Sequence, residues 1–269
     1  MLKKLYLYDL RALWRILTPF LALAPVVGLI AFGIMELITV LEMRNLALNG
    51  TLLLLYFLCV VAIMLVSVAV MFFVVQRYYK NFFTDEGYLT LVLPATIEAQ
   101  VTAKILSGVT WSLLSTVSLS VSLFFALGLP ILRSLEIDFW VQSFSSVLEE
   151  MGLMFGGVNG VLSVISSLLS VFSQIVLLYT AITLGSLIIR KHKIFGSVLF
   201  YFVINALISA ASGLFSFVCG LFLAGAETVE QIAMANTITH LTTILVNLAV
   251  LFGGYFCSCG MMKKRINLE

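Results

Sequence analysis

Six long runs of apolar residues leave this chain few ways to fold. The runs cover residues 18 to 41, 51 to 76, 104 to 129, 161 to 189, 194 to 224 and 234 to 260. A helix needs about 20 apolar residues to cross the hydrocarbon core of a bilayer, and each run reaches that length. Hydrophobic residues make up 62% of the chain and charged residues 10%, unlike a soluble globular domain. The sequence therefore predicts an all-α polytopic membrane protein, with residues 1 to 269 forming a single transmembrane domain of six transmembrane helices.

The basic residues predict which side of the membrane each loop occupies. Lys and Arg near the ends of spans stay preferentially on the cytosolic side. With the N-terminus placed inside, all but two of the 15 Lys and Arg residues fall on the inner side, and the exceptions are Arg44 and Arg133. We therefore expect both termini to be cytosolic. Because the inner charges spread along one membrane face, we expect them to meet membrane lipids with anionic headgroups and no nucleic acid.

Residues 1 to 17 predict an amphipathic helix ahead of the first span. At 100° per residue, three basic side chains share one edge of this helix and four apolar side chains share the opposite edge. The basic ones are Lys4, Arg11 and Arg15, and the apolar ones are Tyr6, Leu10, Leu13 and Leu17. Such a helix suits the membrane interface. Thr18 and Pro19 are typical of a cap and first helical turn, so we expect a new helix to start there. The first span is long and lacks a small-residue cleavage pattern, and we expect it to be retained.

Two predictions concern the outer side of the membrane. Residues 134 to 150 form a second amphipathic pattern, which we expect to lie on the outer surface or to cap the mouth of a cavity. The fifth run is longer than a span requires, and Gly213 and Gly220 lie in its outer third. We therefore expect the helix to break near Ser212 and Gly213, with the remainder dipping back as a short re-entrant piece.

Polar side chains inside the spans have two interpretations. Ser and Thr are dense at 111 to 122 and at 163 to 174, where small hydroxyl groups let helices approach closely and form interhelical hydrogen bonds. The alternative is a lining for a polar or amphipathic substrate. The strongest intramembrane polar groups, and therefore the candidate pathway-lining residues, are Gln174, Asn205, His240 and Asn247. Such groups rarely face lipid.

The sequence offers no complete catalytic or metal-binding pattern. Its two histidines do not form the zinc motif H-E-x-x-H, and Cys257 and Cys259 have no histidine nearby to complete a metal site. A protease dyad of Ser212 and His240 lacks the glycine expected two residues before the serine, where Ala210 stands. No glycine is followed by lysine, so the phosphate-binding loop G-x-x-x-x-G-K-[ST] is absent. We expect no catalytic residue, no metal and no cofactor bound by this chain.

The stretch TDEGYLTLVLPAT at 84 to 96 predicts a short cytosolic helix between the second and third spans. Asp85 and Glu86 favour the positive N-terminal end of a helix, and Pro94 ends it. Gly87 leaves room for a close neighbour at the acidic end. One flank of the helix is apolar and consists of Tyr88, Leu89, Val92 and Leu93. An apolar flank on a cytosolic helix predicts a protein partner.

This stretch resembles a segment of ABC transporter permeases of the type-2 exporter family. Their segment between the second and third spans has the pattern E-x-G-[ST]-L-x-x-L-x-x-x-P-x-[ST], and RYYKNFFTDEGYLTLVLPAT is similar to permeases of low-GC Gram-positive bacteria. Six spans, cytosolic termini and an N-terminal interfacial elbow helix resemble the same family. In that family the segment is a coupling helix, which sits in a cleft of a cytosolic ATPase and transmits the closure of that ATPase to the membrane domain.

The resemblance implies that the chain is the membrane-spanning permease subunit of an ATP-driven ABC exporter in a bacterial cell membrane. It would form the translocation pathway without being catalytic by itself. The residues that would dock to the ATPase are Asp85, Glu86, Gly87, Tyr88, Leu89, Val92 and Leu93. The implied partners are two ATPase subunits, which bind ATP and Mg, and a second permease subunit, identical or related. A six-span channel or secondary carrier not driven by ATP is the alternative, and a membrane scaffold for a sensor is a third hypothesis.

Overall fold

The computed structural model consists of α-helices and one short π-helical segment. It describes residues 2–40, 46–84, 87, 95–134, 157–189, 192–223 and 229–265, and these ranges contain no β-strand. The helices are α1 (Leu2–Val40), α2 (Leu46–Phe83), α3 (Ile97–Leu123), α4 (Leu129–Ser134), α5 (Gly157–Ile188), α6 (Lys193–Leu223) and α7 (Val229–Arg265). The π-helical segment Phe124–Gly128 joins α3 to α4.

Six helical stretches are long and apolar enough to cross a membrane. They are Leu2–Val40, Leu48–Phe83, Ile97–Arg133, Gly157–Ile188, Lys193–Val218 and Met234–Lys264. Each coincides with one apolar run of the sequence. The prediction of an all-helical fold with six potential transmembrane helices is therefore confirmed over the described ranges.

The first helix has no boundary at Thr18, so the predicted cap is wrong. The hydroxyl of Thr18 donates to the carbonyl of Trp14 at 2.6 Å, a bond made inside a helix, and α1 continues through Pro19 and Pro25. A proline inside a helix removes one backbone hydrogen bond, whereas ending one helix and starting another would leave several N–H and C=O groups in need of new partners. The 39 residues of α1 extend about 58 Å, well beyond a hydrocarbon core of about 30 Å. An interfacial position for residues 1 to 17 stays a prediction.

The break expected in the fifth span is also wrong. Helix α6 runs without interruption from Lys193 to Leu223 and includes both Gly213 and Gly220. A glycine inside a helix costs only about 0.5–1 kcal/mol relative to alanine. Breaking the helix would free several backbone hydrogen-bonding groups in apolar surroundings, where each costs several kcal/mol. The continuous helix is therefore favoured.

Contacts divide the chain into two compact units, which are described separately. The first comprises Met1–Arg77 and Leu106–Ser143, and the second comprises Tyr78–Ile105 and Phe144–Glu269. The boundaries fall inside α2 and α3, so neither unit is one continuous stretch of chain.

In the first unit, α1 packs closely against α3 and α2. Gly28 lies against the backbone of Ser122, where an added Cβ would be 2.5 Å from the Ser122 carbonyl oxygen. Ala31, Ile63 and the π-segment residue Ala126 form a buried apolar cluster. Because Ala31 follows Gly28 by three residues, it lies on the same side of α1, where small side chains allow the close approach.

The π-helical segment explains why the third span passes residue 129, where the sequence predicted its end. Pro130 lacks an N–H and its ring crowds the carbonyl four residues earlier, which belongs to Ala126. The hydroxyl of Tyr56 donates to that carbonyl at 3.2 Å, and the N–H of Leu129 bonds to the carbonyl of Phe124. The helix therefore bypasses the proline by widening one turn and continues to Ser134.

In the second unit, α5 is the central helix. It packs most extensively against α7 and next against α6. Most of its residues between Ile175 and Ser186 are buried. At the α6 crossing, Gly185 lies against the backbone of Ser197, so no side chain separates the two helices there.

Candidate functional site

The end of α2 that precedes the predicted docking helix is fixed to α5 by a tyrosine pair. The rings of Tyr78 and Tyr179 stack with centroids 3.9 Å apart and planes inclined by 5°. The hydroxyls of Tyr78 and Thr183 lie 2.9 Å apart and share a hydrogen bond. Both tyrosines are buried. A buried ring contact and a buried hydrogen bond therefore hold this end of α2 to α5.

The beginning of α3, on the other side of the predicted docking helix, is fixed to α5 and α7. The Tyr179 hydroxyl donates to the carbonyl of Lys104 at 3.3 Å. The hydroxyls of Thr102 and Tyr255 lie 3.2 Å apart. Tyr179 therefore contacts both chain segments that flank residues 84 to 96. We call Tyr78, Tyr179 and Tyr255 the tyrosine cluster.

Two lysines near this cluster differ in environment. Lys263 donates to a carboxylate oxygen of Glu98 at 2.5 Å, with about half of each side chain exposed. Solvent screens such a pair, so it contributes little to stability. Lys104 is buried, and its ammonium nitrogen lies 5.6 Å from the centre of the Phe82 ring. This cation–π contact joins the end of α2 to the start of α3.

Most of the predicted docking residues lie outside the described residues. They are Asp85, Glu86, Tyr88, Leu89, Val92 and Leu93. Gly87 is described, is helical, and donates its N–H to the carbonyl of Thr84 at 2.7 Å. A Cβ on Gly87 would lie 2.7 Å from the carbonyl oxygen of Phe82. The close neighbour expected at this glycine therefore includes the chain's own preceding turn.

Polar side chains recur at every seventh residue of α5 on the side that meets α7. They are Asn159, Ser166, Ser173 and Thr180, and the facing positions on α7 include His240, Asn247 and Gly254. The partners are 74 positions apart at three successive levels. A constant separation means that the two helices run parallel, and a seven-residue repeat keeps one face of each helix toward the other. We call this row of contacts the polar ladder.

The polar ladder includes two of the candidate pathway residues. Ser173 donates to the amide oxygen of Asn247 at 2.8 Å, and the Ser166 hydroxyl lies 3.5 Å from Nδ1 of His240. The latter distance is at the long end for a hydrogen bond. Both α7 side chains are thus engaged with α5. The geometry favours the packing interpretation of the sequence for these two residues.

The ladder continues at Thr180, which faces a glycine of α7. Its hydroxyl donates to the carbonyl of Gly254 at 3.1 Å and lies 3.1 Å from the Ser258 hydroxyl, which donates to it. A Cβ on Gly254 would be 2.8 Å from the Thr180 oxygen and from a methyl group of Val176. Glycine at this level is what allows the hydroxyl to reach the backbone of α7.

The other two candidate pathway residues are not brought to the ladder. Gln174 is exposed on α5 and Asn205 is half-buried on α6. The structure therefore does not gather the four candidates into one site. Sequence reasoning missed the tyrosine cluster, because tyrosines near span ends are common in membrane proteins and carry no signal of their partners.

The chemistry of the described residues is that of helix packing. Among the residues that the structure describes, no three His, Cys, Asp or Glu side chains lie close enough to hold a metal ion. Comparison with protein-family models, curated proteins and solved structures finds no match to the chain.

Proposed function

We propose that the chain is the membrane-spanning permease subunit of an ATP-driven exporter of the ABC type. In this proposal residues 84 to 96 form the coupling helix, which docks in a cleft of a separate cytosolic ATPase. Asp85, Glu86 and Gly87 lie at its approaching end, with the apolar flank buried in the cleft. Both termini would be cytosolic, and the membrane would be the bacterial plasma membrane.

The attachment of both flanks of the coupling segment carries the proposal. Tyr78 before the segment and Lys104 after it both contact Tyr179 of α5, and Thr102 contacts Tyr255 of α7. A force applied to residues 84 to 96 would therefore reach α5 through buried contacts and α7 through a half-buried one.

The proposed assembly contains two permease subunits and two ATPase subunits. ATP and Mg would bind to the ATPase, because this chain lacks the G-x-x-x-x-G-K-[ST] loop. The second permease would be a copy of this chain or a related one. A channel or secondary carrier gains less support, since His240 and Asn247 both face α5 and Asn247 accepts a hydrogen bond from it.

The test is the substitution Leu89→Asp, with Thr90→Asp as its matched control. At 100° per residue Thr90 lies away from the apolar flank, so the control adds the same charge outside the proposed contact. Burial of one large apolar side chain contributes about 1.5–3 kcal/mol, so the loss of Leu89 alone should weaken binding more than tenfold. Both variants would be purified from the native host, and the co-purified proteins identified by mass spectrometry.

We expect an ATP-hydrolysing chain with the G-x-x-x-x-G-K-[ST] loop to accompany the wild type and Thr90→Asp but not folded Leu89→Asp. Glu86→Gln should retain the ATPase with a modest loss, because an exposed charge contributes less than about 1 kcal/mol. Undiminished recovery with Leu89→Asp would contradict the proposed docking flank.

A further inference from the structure

An apolar groove lies between α5, α6 and α7. Its volume is about 390 Å³. Leu177 and Leu184 of α5 form one wall, and Ile204 and Ile208 of α6 form another. Gly253 lies at the surface of α7 that completes the groove. All three helices are long and apolar enough to span a membrane, and the lining residues lie well inside them.

The lining of the groove offers few hydrogen-bond partners to a water molecule. Thr180 is the hydroxyl-bearing residue of its lining, and its single proton already has carbonyl acceptors on α5 and α7 within 3.1 Å. A water molecule is stable in a cavity only where it finds two to four polar partners. Around Gly253, the described part of the chain places nothing within 4 Å of where a Cβ would stand. The space is therefore apolar and unfilled by neighbouring side chains.

Two exposed lysines lie beyond one end of the groove. The groove runs along α7 from Ala249 to Cys257, a rise of about 12 Å, and Lys264 lies about 10 Å beyond Cys257. Because α5 and α7 run parallel, the end of α7 lies level with the end of α5 and with Lys193, where α6 begins. Lys193 and Lys264 are both exposed. An apolar groove leading to two exposed ammonium groups matches an acyl chain that ends in a negatively charged headgroup.

We propose that this groove holds one acyl chain of an anionic phospholipid whose headgroup phosphate lies near Lys193 and Lys264. An extended acyl chain is long enough to cover the 10 Å from the ammonium level and then fill the groove. The acyl chain supplies the dispersion contacts that the walls of the groove would lack if the space were empty. The inference requires insertion in a bilayer and does not depend on the proposed ATPase partner.

The test compares phosphatidylglycerol, which is anionic, with phosphatidylcholine, which is zwitterionic. The full-length protein would be placed in nanodiscs with equal amounts of both, and the lipids retained after release into detergent would be counted by native mass spectrometry. A juxtamembrane lysine contributes about 1 kcal/mol to anionic lipid binding, which corresponds to about fivefold. We expect the wild type to retain phosphatidylglycerol preferentially, and each of K193Q and K264Q to reduce that preference about fivefold.

The variant Gly253→Leu fills the groove, and Gly213→Leu on α6 is its control. Among described residues both glycines have open space at the Cβ position, but Gly213 lies outside the groove. We expect Gly253→Leu to lose the retained lipid and Gly213→Leu to keep it, with both eluting as folded protein in gel filtration. Equal retention by the two variants, or equal retention of the two lipids by the wild type, would overturn the proposal. A change of oligomeric mass in Gly253→Leu, with lipid retained, would assign the groove to a second copy and also overturn it.

A measurement on the unaltered protein covers the case in which Gly253→Leu does not fold. Cys257 is exposed and lines the groove. Its reaction with N-ethylmaleimide, read by peptide mass spectrometry, should be several-fold slower after phosphatidylglycerol is added to delipidated protein. An unchanged rate would count against an acyl chain in the groove.

Discussion

Replacing Gly185 by alanine should separate α5 from α6 and destabilise the protein. The new Cβ would lie 2.5 Å from the Cα of Ser197 and 2.6 Å from the carbonyl carbon of Gly196, whereas ordinary contacts are about 3.4–4 Å. Both obstacles are backbone atoms, so no flexible side chain can move aside and the helices must part by about 1 Å. Overpacking of this kind costs about 1–3 kcal/mol, and we expect the upper half of that range. The gain in helix propensity from glycine to alanine, about 0.5–1 kcal/mol, offsets only part of it.

The matched control is Gly213→Ala in α6, where no described atom lies within 4 Å of the Cβ position. It should gain the propensity term without a clash, so the two variants should change stability in opposite directions. Denaturation of the purified proteins in mixed micelles, followed by far-UV circular dichroism, measures the difference, which we expect to exceed about 2 kcal/mol. If Gly185→Ala proves as stable as Gly213→Ala, the close crossing of α5 and α6 is refuted.

Three further substitutions test other contacts by the same denaturation assay. Asn247→Leu should cost less than about 2 kcal/mol, because interhelical hydrogen bonds in membranes average about 0.6 kcal/mol and Ser173 can then donate its one proton to the carbonyl of Ser170. A larger loss would contradict a simple packing role. Arg77→Gln removes the guanidinium 3.2 Å from the buried carboxylate of Asp9 and should cost about 3 kcal/mol of stability. The double variant Arg77→Gln with Asp9→Asn should regain most of that stability, and no recovery would refute the pairing. Tyr78→Phe keeps the stacked ring but loses the hydroxyl bond to α5, so we expect a loss of about 1 kcal/mol of stability. Tyr78→Ala should cost about 3–5 kcal/mol, and equal losses for the two variants would show that the stacking contributes little.

Run length and composition were enough to predict the six helices, because crossing a bilayer imposes a minimum apolar length on each span. They were not enough to predict where helices bend or stop. Thr18 and Pro19 carry a typical helix-start signal, yet α1 continues through them, and Gly213 lies inside an unbroken α6. Such local signals are calibrated on chains whose ends can bond to water, and an apolar environment removes that option.

The glycines show most clearly what local sequence cannot reveal. A break was predicted near Gly213, but both Gly213 and Gly220 lie in open space among the described residues. Gly28 and Gly185 carried no local signal, and they are the points where helices touch backbone to backbone. Gly28 meets a residue 94 positions away, so its role depends on a tertiary contact that spacing along the chain does not encode.

The polar ladder is different, because its signal was present in the sequence and was overlooked. Serines at 166 and 173, with Thr180 one further repeat on, keep a seven-residue spacing, and so do His240 and Asn247 on the other helix. Two matching heptad series predict two helices that share a seam. The density of Ser and Thr along a span does not report the seven-residue spacing that pairs the two helices.

Three faces of α5 carry three different kinds of contact, and this division accounts for its central place in the second unit. At about 100° per residue, Thr180 points toward the ladder on α7, Tyr179 lies about 100° away toward the ends of α2 and α3, and Gly185 lies on the side that meets α6. All three kinds of contact occur within little more than two turns of α5. A displacement of any one neighbour is therefore opposed directly by α5, since packed interiors transmit strain rather than absorb it. Substitutions between Ile175 and Ser186 should consequently be tolerated far less well than apolar exchanges on the exposed surface of α6.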